Sequence, residues 1–363
     1  MKKLFPLAIA AISAAGLVSC DDNNEPKLPD ADHPTVSQGL YVLDQGNYYN
    51  GIEGSLNVVD YNSTSTMRNV FRTANNRSLG ATPQCGVAYG SKIYLGIYES
   101  RTIEVITRAD YKSAKQFILD GTEQPGTQPR SMVATGGKIY ISMYNGYVAR
   151  LDTLTMTIDA SVKVGPNPEI MGLYNNKLYV PNSDGMNYAS GVYGKTASEI
   201  DLSSFTVTRT FEVPENPAQF ISTSKGLYLL SKGNYGDTSS ALYRIKSDLS
   251  YEKVADATIA ASCGNYICFV NDPYYGSGVA DYRRLNLATG EVTVWNIEHP
   301  EYATEIFYDE LAQRIAINSL RKYDAPYPNY DRDGYVAIYD TNGNHIADYA
   351  TGVGPACMFS NNE

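Results

Sequence analysis

Histidine and tryptophan are scarce in this sequence: three and one, respectively, in 363 residues. His33, His299 and His345 fall in three different connecting segments. They cannot converge on one metal or supply a Ser/His/Asp arrangement with more than one eligible base. Cysteine is also sparse, with five residues and no CxxC pair, which excludes a zinc site of the usual spacing. Basic residues number 29 against 39 acidic ones. With no basic stripe to neutralise phosphates, nucleic acid is excluded as a partner. No pair of carboxylates stands out for acid–base work. The run Asp331-Arg332-Asp333-Gly334 is too short for a calcium loop of the EF-hand type. The expectation is a protein that is not an enzyme and carries neither a metal nor a catalytic cofactor. Long helical periodicity is missing too, so the chain reads as all-β.

One long apolar run exists, Leu4–Val18, behind Lys2 and Lys3. It is too short to span comfortably as a mature helix and reads as a targeting segment. It ends in Leu17-Val18-Ser19-Cys20, which looks like a bacterial lipobox. In that reading residues 1–19 are a signal peptide and Cys20 is lipidated, with several acyl chains giving stable anchoring. Residues 20–37 are polar, acidic and proline-containing, and read as a flexible tether. Acidic residues directly after the lipidated cysteine resemble a surface-export signal, so the expected location is the outer membrane, facing the cell surface. Without Lys2 and Lys3 the chain has 27 basic and 39 acidic residues.

Residues 38–363 are organised by a repeat. In PRSMVATGGKIY, Pro129 precedes Tyr140 by eleven residues, with a glycine turn between them. The same spacing recurs at Pro83–Tyr94, Pro168–Tyr179 and Pro217–Tyr228. Each copy has two apolar segments around a Gly/Asn/Lys turn, the signature of a β-hairpin. Degenerate copies place Cys268 and Ala316 where the tyrosine belongs. Tyr41 lacks a proline half, and Gly354–Phe359 is a proline half without a tyrosine. Together these two make one unit, so the C-terminal strand completes the first blade. Anchors at 41, 94, 140, 179, 228, 268 and 316 count seven units, each followed by a third strand, a polar turn and a fourth strand. This predicts a seven-bladed β-propeller closed by pairing of its two chain ends. At roughly 47 residues per blade, the length leaves no room for a second domain.

In such a ring the loops joining strands 2–3 share one face with the 4–1 connections. The 2–3 loops are long here and carry Tyr48, Tyr49, Tyr98, Tyr144, Tyr188, Tyr193, Tyr235, Tyr274, Tyr275, Tyr323, Tyr327 and Tyr330, twelve of the 31 tyrosines. Tyrosine offers a stiff apolar face with a polar tip at low conformational cost, so the set reads as a binding surface. The bland alternative is that these rings only pack on one another. The anchor tyrosines are expected between blades, with no binding role. The 4–1 connections add Gln84, Arg130, Glu169, Gln219 and Glu305. Arg130 is either a fixed donor to ligand or a partner in a salt bridge. Cys85 and Cys357 occupy the same repeat position in adjacent inner strands, and form either a disulfide stapling the ring or two buried thiols. Cys263 and Cys268 flank one hairpin turn out of register for a bridge.

A propeller with these proline-to-tyrosine repeats resembles the YncE/YVTN-like family, in its branch of Bacteroidota surface lipoproteins. Within that branch, the lipobox, acidic tether, seven blades and Tyr-rich loops are similar to the cobalamin-capture lipoproteins of the BtuG type. The resemblance implies binding of cobalamin (vitamin B12) or a related corrinoid on the tyrosine face. It also implies hand-over to a TonB-dependent outer-membrane transporter. It transfers no binding residue one by one. Two other functions suit the same surface: glycan binding, since tyrosine stacks on sugar rings, and a propeller module for adhesion or protein interaction.

Overall fold

The computed structural model describes residues 33–122, 124–273, 279–298, 300–323 and 325–362. The expected signal peptide, the expected lipidation site Cys20 and most of the expected tether lie outside them, as do Tyr274, Tyr275 and His299. The chain forms seven four-stranded antiparallel sheets arranged as a β-propeller. Blade 1 takes its innermost strand, Pro355–Asn362, from the C-terminus, and this strand pairs with Ser37–Asp44. Tyr41 stands opposite Phe359 in that register, their rings 5.2 Å apart. The remaining blades follow in chain order, and each starts on the strand nearest the channel.

Period-two alternation explains the ring. Along the second strand of blade 1, Leu40 and Val42 pack towards blade 7, while Tyr41 and Leu43 pack towards blade 2. Every blade uses its two faces in this way, and the described core divides into seven apolar clusters, one at each blade–blade junction. The anchors Tyr41, Tyr94, Tyr140, Tyr179, Tyr228, Cys268 and Ala316 are all buried in second strands.

Local departures from the repeat have identifiable causes. Blade 1 has only Thr66–Met67 as its outer strand, followed by the short helix Val70–Asn75. Phe71 of that helix is buried between blades 1 and 2, covered by the Arg77 guanidinium 4.7 Å above its ring. Arg77 also pairs with Glu104 of blade 2 at 2.8 Å, so the helix seals the junction that a longer strand would leave open. In blade 4 the expected hairpin from Pro168 pairs as a strand only over Gly172–Tyr174. Upstream, Ile170 turns to blade 5 instead: its N–H donates to the Ala218 carbonyl at 3.1 Å and its carbonyl accepts from Phe220 N–H at 3.0 Å.

Trp295 lies one residue beyond the outer strand Val292–Val294 and is buried between blades 6 and 7, against Tyr282 and Tyr339. Gly343, at φ +97°, closes over it; a Cβ there would come within 2.7 Å of Ile297 and 2.9 Å of the indole nitrogen. Trp295→Ala should therefore lower the unfolding free energy by about 3–5 kcal/mol, the usual cost of emptying a large aromatic site. Urea denaturation checks this; a loss below about 1 kcal/mol would mean the junction collapses around the gap.

Candidate functional site

The second strand of each blade ends on the same face. The residue just past that end lies four positions after the anchor, and in chain order it is Gln45, Tyr98, Tyr144, Ser183, Lys232, Asp272 and Leu320. All but Ser183 line one funnel of about 880 Å³ at the centre of the ring. A second tier comes from the starts of the inner strands, where Gln84, Thr258, Thr304 and Ala356 line the same funnel. The repeat thus brings side chains from six blades to the first level and from four blades to the second.

Backbone ties hold these positions. Tyr98 N–H donates to the Thr82 carbonyl at 2.9 Å, and Tyr144 N–H to the Gln128 carbonyl at 2.9 Å. The two rings meet edge to face, centroids 5.3 Å apart at 89°. On blade 1, Asn47 accepts from Tyr49 N–H at 3.1 Å and caps a short turn over Tyr48–Asn50. Asn47 and Asn50 each donate to Asp331 at 2.7 Å, which fastens this loop to the blade 7 loop carrying Tyr330. These ties preorganise the tyrosine wall, an arrangement that lowers the ordering cost wherever a surface binds a ligand.

The predicted tyrosines separate into groups. Tyr48, Tyr49, Tyr98, Tyr144 and Tyr330 line the funnel. Tyr193 and Tyr235 contact each other at 5.9 Å away from it, Tyr193 buried and Tyr235 on a smaller neighbouring cavity of about 440 Å³. Tyr188 and Tyr327 are exposed. Tyr323 lies under the Arg332 guanidinium and donates its hydroxyl to the Asp333 carbonyl at 3.2 Å.

Arg130 is in a salt bridge, the alternative to a free donor: Nε reaches Glu169 Oε2 at 2.7 Å, and its guanidinium stands 5.7 Å from the Tyr144 ring centre. Glu169 also accepts from the Ser183 hydroxyl at 3.1 Å. All four cysteines beyond Cys20 are free thiols. Burial pushes the Cys85 thiol up to about 12 and Cys357 well above its ordinary value, so neither is a ready nucleophile. Among the described residues no group of three His, Cys, Asp or Glu side chains is placed to hold a metal. His345 pairs with Asp348 at 2.9 Å at the start of an outer strand.

Two polar groups of the funnel stand out: Gln84, named above among the 4–1 connections, and Lys232, which residue type alone passes over. Gln84 Oε1 is a buried acceptor with no partner. Lys232 donates to the Thr258 carbonyl at 2.6 Å, and desolvation, with the Arg130 charge nearby, draws its ammonium down to about 8. The signal for Lys232 was positional: it occupies the repeat position filled by Tyr98 and Tyr144 in blades 2 and 3. Tyr302, which also lines the funnel, lies in a 4–1 connection outside the loops singled out for tyrosine.

No protein-family model matches the chain, and no curated protein matches it in sequence. Solved propellers do match its fold. A quinoprotein alcohol dehydrogenase-like protein from Bacteroides thetaiotaomicron superposes with a TM-score of 0.61 at 13% identity, over 91% of this chain and 80% of its own. Kuenenia stuttgartiensis hydrazine synthase gives 0.58 at 13% identity, over 76% of this chain and 88% of its own. Apo AztD from Citrobacter koseri gives 0.52 at 13% identity, over 89% and 97%. At this identity the likeness concerns the propeller fold alone.

Proposed function

We propose that this protein is a lipid-anchored surface lipoprotein that captures cobalamin or a related corrinoid in the central funnel and passes it to a TonB-dependent outer-membrane transporter. The observation that carries the reading is the funnel itself: about 880 Å³, walled by tyrosines and fringed by Gln45, Asn47 and Gln84. A corrinoid is broad, with flat apolar faces bordered by amides. Tyrosine faces suit the ring, and side-chain amides suit its fringe. Several buried aromatic contacts at about 1.5–3 kcal/mol each offset an association cost of about 4–15 kcal/mol.

Calorimetric titration of the purified protein with cyanocobalamin tests this. Sub-micromolar binding is expected. Tyr98→Ala and Tyr144→Ala should each weaken it about 10- to 100-fold, as truncation of a central aromatic anchor does. Tyr327→Ala, on an exposed ring outside the funnel wall, should change it less than about threefold. No binding at high micromolar cobalamin would reject the corrinoid reading. It would turn attention to sugar rings on the exposed rim, where Tyr49 is 94% accessible.

A further inference from the structure

We propose that the funnel holds an anion subsite in which the Lys232 ammonium receives a phosphate group of the bound ligand. The inference rests on the funnel being the ligand site. For a corrinoid the matching group is the phosphodiester of the nucleotide arm, since the other side chains of that ligand are neutral amides.

The geometry around Lys232 sets the argument. Its backbone N–H is tied to the Asn216 carbonyl at 2.9 Å, which fixes the position at the end of the second strand of blade 5. An ammonium has three donors. One goes to the Thr258 carbonyl at 2.6 Å. Among the described residues no carboxylate lies within ion-pair distance of it, in a chain whose formal charge is −10.

The charged groups nearby do not fill that role. Arg130 of blade 3 and Glu169 of blade 4 neutralise each other at 2.7 Å. Blade 6 contributes Thr258, whose carbonyl is the acceptor already counted, and Asp272, which has an interaction of its own. Blade 2 contributes the neutral Gln84. What remains is a positive group in a walled cavity with donors to spare, a costly arrangement that an arriving anion relieves. Burial holds the amine down towards neutrality, and a bound phosphate would restore its proton.

The test is calorimetric titration of the purified protein with cyanocobalamin and with dicyanocobinamide, which lacks the nucleotide arm and its phosphate. Wild type should bind cobinamide about 10- to 100-fold more weakly, the range of a charge-assisted hydrogen bond. Lys232→Met should lose a similar factor for cobalamin and leave cobinamide unchanged; unchanged cobinamide binding also shows that the variant is folded. Equal weakening for both ligands, or for neither, overturns the subsite.

If wild type binds neither corrinoid, the corrinoid reading fails separately and inorganic phosphate becomes the probe. Phosphate against chloride at equal ionic strength should raise the unfolding temperature of wild type but not of Lys232→Met. An equal response in the two proteins overturns the proposal.

Discussion

A chain ending at Gly354 is expected to lose its cooperative unfolding transition. Residues 355–362 are the inner strand of blade 1, so their removal opens the ring rather than trimming an end. Met358 leaves the cluster between blades 7 and 1, and Phe359 leaves the cluster between blades 1 and 2. Two buried side chains at about 1.5–3 kcal/mol each, together with the ladder pairing Leu40–Leu43 with Cys357–Ser360, are a large part of a net stability of about 5–15 kcal/mol. The bond from Thr304 Oγ1 to the Pro355 carbonyl, at 2.9 Å, goes as well. The strand Ser37–Asp44 then presents a bare apolar edge, a template for pairing with other chains. Urea denaturation followed by near-UV circular dichroism should show a broad, early transition, and sedimentation should show self-association. A synthetic peptide of residues 355–363 added in trans should sharpen the transition. A truncated monomer with the wild-type midpoint would show that blade 1 does not depend on closure.

The same strand shows why the fold was legible. Gly354–Phe359 has the proline half of the repeat and Gly39–Leu43 the tyrosine half, so the sequence itself states that they belong together. The anchors were readable because a residue between two blades must be apolar at a fixed phase of the strand. Where the chain escapes the repeat, the reasons are local. Ile170 bonds sideways to blade 5, a backbone choice that leaves no mark on residue type. The fourth strand of blade 1 is cut short to Thr66–Met67, and the helix after it puts Phe71 into the junction with blade 2.

The site was half legible. Tyrosine enrichment points to Tyr98 and Tyr144, yet it weighs them equally with Tyr188 and Tyr193, which do not line the funnel. Composition cannot separate a ring that faces the axis from one that leans on a neighbouring loop. The position four residues past each anchor does separate them, and it selects Gln45, Lys232 and Asp272 too. Residue type alone passes over these three, because a lone polar residue in a loop carries no signal unless it is read against its six equivalents.

Stability should fall as pH rises from about 5 to 8, the reverse of what a chain with many ordinary carboxylates would suggest. Two desolvated acids set the sign. Asp44 stands at the ring closure, accepting from Gly352 N–H at 2.8 Å, from Ser55 Oγ and from Asn57, with its other oxygen unpartnered. Desolvation outweighs those bonds and raises it from 3.8 to about 7. Glu305 lies near Cys357, accepts from Asn318 at 2.9 Å, and is raised by desolvation from 4.5 to about 8. Between the unfolded and folded values the native state holds more protons than the unfolded chain. Unfolding free energy is therefore undiminished by these groups below about pH 4 and is lost as pH climbs through 7 and 8. Lys232 acts oppositely: lowered from 10.5 to about 8, it makes stability recover as pH rises between those values. At the acid end Asp159, Asp256 and Asp340, all held below their ordinary values, lose their contribution as pH falls through the range near and below 4. The optimum should thus lie on the acid side of neutrality. Each tenfold difference in proton affinity between the folded and unfolded chain is worth about 1.4 kcal/mol. Allowing for relaxation and water in the channel, wild type should lose about 2–4 kcal/mol between pH 5 and 8.5. Glu305→Gln removes one of the two titrations and should roughly halve the slope. Urea unfolding at constant ionic strength measures both; a wild-type curve that is flat or rises over this window would mean that the two carboxylates are hydrated and ionised in the folded ring.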